Sequence, residues 1–260
     1  MITKMIRSIL TSRGFWVWGF TFSILWLLIG ALMISQYIDR QYTYYYVGLV
    51  TSAIIVWVFS NLMSNLSGTI VMSSTSLYYA FKFTRLTPSR YLLDYLVSTV
   101  IGTTTLGALM LGISLGAFYV EYHVVFLPQY PLAFFGVIII SSAFVILFSI
   151  FISLIFPPKY YQFAQMLPQL LYVILVLGQM LVSYPYLIVV ASPFNDMTLL
   201  LFQSFTGLEA PLDFLNPFQQ FINWYYILAS LIIWSLVLFS LDSYLLSRIK
   251  PVSLDILRQF

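Results

Sequence analysis

The chain has 260 residues, of which 61% are hydrophobic, 19% aromatic and only 7% charged, with a net charge of +3, one histidine and no cysteine. About a quarter of the residues in a soluble domain are charged, so this composition cannot coat a water-facing surface and points to an integral membrane protein. It also leaves no disulfide, no thiolate metal site, no cysteine nucleophile and no two-histidine metal motif, and the small positive charge gives no sign of a nucleic-acid partner.

Residues 1–14 read as an interfacial amphipathic helix, with Ile2, Ile6, Ile9 and Leu10 near one face and Lys4 and Arg7 off it. Crossing roughly 30 Å of hydrocarbon takes about 20 helical residues, and six apolar segments meet that length, near 15–36, 46–70, 94–118, 132–156, 163–190 and 221–246. None shows the period-2 alternation of a membrane β-barrel. The expected fold is therefore all-α, a polytopic bundle of six transmembrane helices forming one domain over 1–260. Pro168 sits near the start of the fifth segment and Pro185 marks a break in it.

Between the second and third segments, residues 77–93 form a basic elbow. Leu77 to Leu86 is expected to be a short helix with Phe81 inward and Lys82 and Arg85 outward. Thr87 is placed to cap the next helix, with Pro88 at its first position. Ser89 and Arg90 follow in the first turn, and Leu86 and Tyr91 are placed to bury against a partner. Before the last segment, residues 191–220 hold the run MTLLLFQSF, apolar but too short to span, flanked by Pro193, Pro211 and Pro217. This pattern predicts a re-entrant or interfacial hairpin.

The cations set an orientation. Lys4, Arg7 and Arg13 precede the first segment, Lys82, Arg85 and Arg90 lie between the second and third, Lys159 lies between the fourth and fifth, and Arg248, Lys250 and Arg258 follow the sixth. The other connections hold Arg40 beside Asp39, and Glu121, Asp196, Glu209 and Asp213. Both termini are thus expected in the cytoplasm, with the hairpin outside.

Two patterns invite a chemical reading. Gly112 to Gly116, GISLG, fits a G-x-S-x-G nucleophile motif, but that motif needs a strand-to-helix elbow and a nearby base. His123 is nine residues further on. Gly102, Gly107, Ala108 and Ser114 on the same segment instead read as a small-residue packing surface. Trp57, Asn61, Asn65, Gly68 and Met72, at steps of four and three, share one face of the second segment, and Gln162, Gln165 and Gln169 share one of the fifth. Trp57, Asn61, Asn65, Gln165 and Gln169 either line a transport path or form interhelical hydrogen bonds. No phosphate-binding loop is present.

At the elbow the chain resembles the membrane subunits of ATP-binding-cassette exporters of the type-2 permease class. Those share six spans, cytoplasmic ends, a preceding amphipathic helix and an elbow element TP-x-SR, which LTPSRYLLD matches with one residue fewer. The family often carries Gly-Thr-Leu-Glu upstream of that element, where this chain has YAFK. The outer hairpin often closes with Asn-Pro, here Asn216-Pro217. The resemblance implies that Phe81, Lys82, Arg85, Leu86, Thr87, Pro88, Ser89, Arg90 and Tyr91 couple to a separate cytosolic ATPase that carries ATP and Mg. It also implies that Phe194, Phe205, Asn216 and Pro217 form an outer gate, and that a second permease subunit completes the unit in the cell membrane. This chain would then bear no cofactor and no catalytic residue, and its cargo would be lipophilic or amphipathic. The alternative is a non-transport membrane protein, an intramembrane enzyme or assembly factor, whose basic elbow only anchors to lipid.

Overall fold

The structure is a computed structural model that describes residues 15–156, 158–214 and 219–249. The amphipathic segment 1–14, the gate residues Asn216 and Pro217, and the cations beyond Ile249 lie outside the described residues.

Helix α1 (Phe22–Leu28) is flanked by π-helical turns at Phe15–Thr21 and Ile29–Ile34. Helix α2 (Thr43–Phe83) and helix α3 (Pro88–Tyr122) follow, then α4 (Pro131–Ile155). Helix α5 (Tyr161–Tyr172) runs on through a π-helical turn at Val173–Leu177. Two shorter helices, α6 (Tyr186–Ala191) and α7 (Pro193–Thr206), precede the last, α8 (Trp224–Ser247). The only strands among the described residues are β1 (Ala210–Pro211) and β2 (Phe221–Ile222), an antiparallel pair with Ala210 opposite Ile222.

Residue chemistry accounts for several helix ends. Thr84, at the end of α2, is extended, and its hydroxyl bonds back to the Ala80 carbonyl at 2.6 Å. The Thr87 hydroxyl accepts from the Arg90 N–H at 3.3 Å, and Pro88 opens α3 where no N–H partner is needed. Ser192 caps α7 in the same way through Asn195, ahead of Pro193, and Gly207 ends that helix at φ 69°.

The distribution of polarity is that of helices in lipid. Leu132, Leu187 and Leu181 are 90%, 77% and 75% exposed, while Ser67, Thr99, Thr103 and Ser149 are buried. Many buried hydroxyls return their hydrogen to the helix or bond across it, as Ser149 does to the Val145 carbonyl and Thr51 to Ser114 at 2.6 Å, while those of Ser52, Ser60, Ser74 and Ser141 have no such partner among the described residues. Five helical stretches are long and apolar enough to cross a membrane, Gly19–Tyr37, Arg40–Phe83, Pro88–Tyr122, Pro131–Ile155 and Trp224–Ser247. The chain is an all-α membrane protein.

Helix α2 is the hub, packing against α1, α3, α4, α5 and α7. Its 41 residues extend over roughly 60 Å at about 1.5 Å per residue, twice the hydrocarbon thickness. The expected short helix from Leu77 to Leu86 is therefore absent: α2 continues unbroken to Phe83, because nothing from Leu77 to Phe83 interrupts its hydrogen bonding. The elbow is a tight turn joining two long helices. The fifth segment also ends earlier than expected, as the helix turns off after Gln179 and Pro185 begins α6.

Helix α7 is buried on every side between α2, α4 and α8. Its first turn reaches the middle of α4, where Phe194 meets Phe144 and Phe148 at ring distances of 5.8 and 5.7 Å. Its last turn meets the start of α2 and the approach to α4, where Tyr44 donates to the Phe205 carbonyl at 2.9 Å and Gln129 N–H bonds the same carbonyl.

Close approach fixes these contacts. A methyl on Gly48 would collide with Thr206 of α7 and stand 3.2 Å from Phe205, and one on Gly107 would stand 2.8 Å from Ile138 of α4. Gly102, Gly107 and Ser114 thus face inward as a packing surface requires. Ala108, Gly112 and Gly116 do not: they lie on the exposed face of α3, and nothing stands within 4 Å of a methyl at Gly112 or Gly116. Gly48→Ala should accordingly destabilise the protein by about 1–3 kcal/mol in thermal unfolding in detergent, and Gly112→Ala should leave it unchanged or more stable.

Candidate functional site

The polar faces expected on the second and fifth segments meet. Asn61 of α2, buried, accepts from the Gln169 side chain of α5 at 2.6 Å and directs its own amide at the Gly19 carbonyl, 3.4 Å away. Four residues along α2, Trp57 packs edge-on against Tyr172 at 4.9 Å, and the Tyr172 hydroxyl donates to the Ala53 carbonyl at 2.8 Å. In the other direction Asn65 and Gly68 face Gln165, which donates to the Tyr161 hydroxyl at 2.8 Å. A methyl on Gly68 would run into Gln165 and come within 2.7 Å of that hydroxyl. The glycine lets α5 approach here. Gln162, expected on the same face, is exposed and does not join.

Two cavities open along this α2–α5 seam. One, of about 550 Å³, lies between α1, α2 and α5 beyond Trp57 and is apolar, with Phe22, Trp26, Val50, Ile54 and Tyr172 in its wall. The other, of about 540 Å³, lies toward the elbow and is polar, lined by Asn65, Thr69, Ser73, Ser76, Tyr161 and Gln165. Both volumes fall in the range of small-molecule sites, about 300–1,000 Å³. The Asn61–Gln169 bond lies between them. Trp57 Nε1 is buried without a hydrogen-bond partner.

At the elbow, Tyr91 is buried within its own chain, edge-on to Phe81 at 5.8 Å and stacked on Tyr95 at 5.6 Å. It is not free to bury against a partner, because its position in the first turn of α3 points it back at α2. Leu86 and Pro88 are half-buried, and Lys82, Arg85, Thr87, Ser89 and Arg90 are exposed. Phe83, which sequence reasoning missed, is 71% exposed and stacks on exposed Tyr79, with the Lys82 amine 5.6 Å from its ring.

The expected gate residues Phe194 and Phe205 are core side chains at opposite ends of α7. Beside Phe194 lies a polar node no sequence signal revealed. Asn195 donates to the Leu175 carbonyl and to Gln179, at 3.0 and 2.6 Å, and Gln179 donates to the Leu212 carbonyl at 2.9 Å. This node ties the end of α5 to α7. Two carboxyls are fully buried. Asp196 lies in the first turn of α7, with Ser230 of α8 in electrostatic reach, and Asp242 lies on the buried stripe of α8 with Leu238 and Leu246. Neither carboxyl has a partner in hydrogen-bonding geometry among the described residues.

Ser114 is buried against Thr51, while His123 caps the far end of α3 at φ 55°, so the serine of GISLG and the histidine are not brought together. Among the described residues no group of three or more His, Asp or Glu converges as a metal site would require.

If the Asn61–Gln169 bond joins α2 to α5, Asn61→Leu and Gln169→Leu should each destabilise the protein. The double variant should lose less than the sum by about 0.6 kcal/mol, with roughly 1.7 as an upper value, in thermal unfolding of the four proteins. No known protein family and no curated protein matches the chain.

Proposed function

We propose that this chain is the membrane-spanning permease subunit of an ATP-driven exporter of the type-2 permease class, moving a lipophilic or amphipathic cargo. The observation that carries the reading is the elbow. Two helices too long for the bilayer meet there in a capped, rigid turn, and its free face presents Phe83, Lys82, Arg85, Ser89 and Arg90. A lipid anchor needs only the charges; the capped turn and the exposed Tyr79–Phe83 stack suit a protein groove.

In this reading the Tyr161–Leu177 stretch is a fifth crossing among six, 17 residues long and about 25 Å in rise, and α6 with α7 is a re-entrant hairpin on the outer side. The elbow and both termini are cytoplasmic, in the cell membrane. ATP and Mg belong to a separate ATPase seated on the elbow, and two permeases with two ATPases make the working unit. Closure of the ATPases rocks the two membrane halves, with the α2–α5 seam bordering the path. Phe194 and Phe205 act on the outer side by holding α7 in place, with Asn216 and Pro217 following it in the chain.

The absence of cysteine makes topology directly testable. A single cysteine at Glu209 should react with a membrane-impermeant maleimide in intact cells, and one at Phe260 only after permeabilisation. Labelling of the Phe260 site from outside would refute the orientation.

The lipid-anchor alternative makes the opposite forecast for a pair of elbow variants. Glycine at position 88 keeps the Thr87 cap but frees the φ that proline fixes, at a cost of about 1 kcal/mol in the shape of the turn, whereas removing an exposed charge leaves that shape intact. Pro88→Gly should therefore reduce ATPase co-purification and coupled turnover more than Arg90→Ala, with both variants inserted normally. Strong salt sensitivity with Pro88→Gly behaving as wild type would assign the elbow to lipid.

A further inference from the structure

The two cavities of the α2–α5 seam differ in chemistry but share the same pair of helices. Trp57 and Tyr172 belong to the wall of the apolar one, and Asn65 and Gln165 to the wall of the polar one. The eight-residue step from Trp57 to Asn65 spans only about 12 Å of helix, and the Asn61–Gln169 bond occupies that interval as a waist.

The polar cavity has a specific composition. Asn65 and Gln165 offer amides, Tyr161 a phenol, and Thr69, Ser73 and Ser76 hydroxyls. Thr69 and Ser73 return their hydrogens to the carbonyls of Asn65 and Ile70, which turns their oxygens toward acceptance. Among the described residues no acidic or basic side chain lines either cavity. A charged headgroup in the polar half would meet no counter-charge from these residues, whereas hydroxyl or amide groups would meet matched donors and acceptors. The apolar half holds almost no polar surface and suits hydrocarbon alone.

We propose that the two cavities form one elongated site for an amphiphile with an uncharged, hydroxyl- or amide-bearing head, which lies between Thr69, Ser73 and Gln165 at the elbow end while its hydrocarbon tail runs past the Asn61–Gln169 waist to Trp57. The inference rests on reading the seam as the transport path, and it adds the charge state and the orientation of the cargo. The neutral lining acts as the filter: an ionic lipid of the same tail length is rejected at the head and not at the tail.

The test uses the purified full chain in lipid nanodiscs with three probes of identical tail, brominated at the tail terminus: an alkyl maltoside, an alkyl phosphate and an alkyl trimethylammonium. Bromine quenches tryptophan on contact. The maltoside should quench with an apparent affinity at least tenfold above either ionic probe, and the saturable component should shrink in Trp57→Phe and vanish when Trp26→Phe is added, since both indoles line the apolar half. An alkyl maltoside brominated beside its head should leave Trp57 unquenched, which fixes the orientation. Thr69→Asp, at an exposed position in the polar wall, should raise affinity for the trimethylammonium probe and lower it for the phosphate probe, a gain that misfolding cannot produce. Equal affinity for all three heads, unchanged by Thr69→Asp, would overturn the proposal and leave only tail partitioning. Because binding is measured without an ATPase, the two levels separate. Selective binding by a chain that brings down no ATPase would refute the permease reading and keep the site; ATPase coupling without head selectivity would refute this proposal alone.

Discussion

The placement of α1, α3, α4, α5 and α7 depends on the burial of α2. In an apolar surrounding helices gain little from hiding hydrophobic surface, so their association depends on close packing and on the few polar groups that can pair. Helix α2 supplies both. Gly48 admits Thr206 of α7 and Gly68 admits Gln165 and Tyr161 of α5, while Thr51 and Asn61 bond to Ser114 and Gln169 on either side. The helices that carry the elbow and the seam, and the buried α7, are all seated on this one element.

The same constraint explains why polarity is turned inside out. Backbone groups at membrane depth must be satisfied within the chain. The break after α5 is tolerated because Asn195 reaches the Leu175 carbonyl and the Tyr184 hydroxyl reaches that of Ile174, while Gln179 bonds onward to Leu212. Side-chain amides thus take over where helical hydrogen bonds stop, and they fasten α7 in the bundle as they do so. The buried carboxyls of Asp196 and Asp242 stand out against this economy, since among the described residues neither makes a hydrogen bond of ordinary geometry and only Ser230 stands near Asp196.

Function in this reading follows from two mechanical facts. Helices α2 and α3 are long enough to carry motion from the elbow into the bilayer without an intervening joint, and the seam with α5 lies on the same α2. A displacement of the Thr84–Thr87 turn is therefore a displacement of the wall that bears Asn65, Asn61 and Trp57. Tyr91, locked between Phe81 and Tyr95, makes the two helices move together at that end.

The sequence by itself determined the fold class, the position of most apolar helices, the cap formed by Thr87 and Pro88, and the polar faces of α2 and α5, though not that the two faces meet. Each of these is set by local chemistry: composition, a capping side chain, or residues at helical spacing. It also identified which residues are small, but not which of them are approached, so Ala108 read as a packing position yet is exposed, while Gly48, which that reading passed over, admits Thr206 of α7. Only the tertiary structure decided that α2 continues past Leu77, that Tyr91 faces its own chain, that the fifth helix turns off before Pro185, and that Asp242 lies on the buried stripe of α8. Those outcomes depend on which neighbour covers a given face. Helical periodicity assigns a residue to a face; the partner that meets that face comes from distant sequence, as Gln179 meets Asn195 and Asn61 meets Gln169.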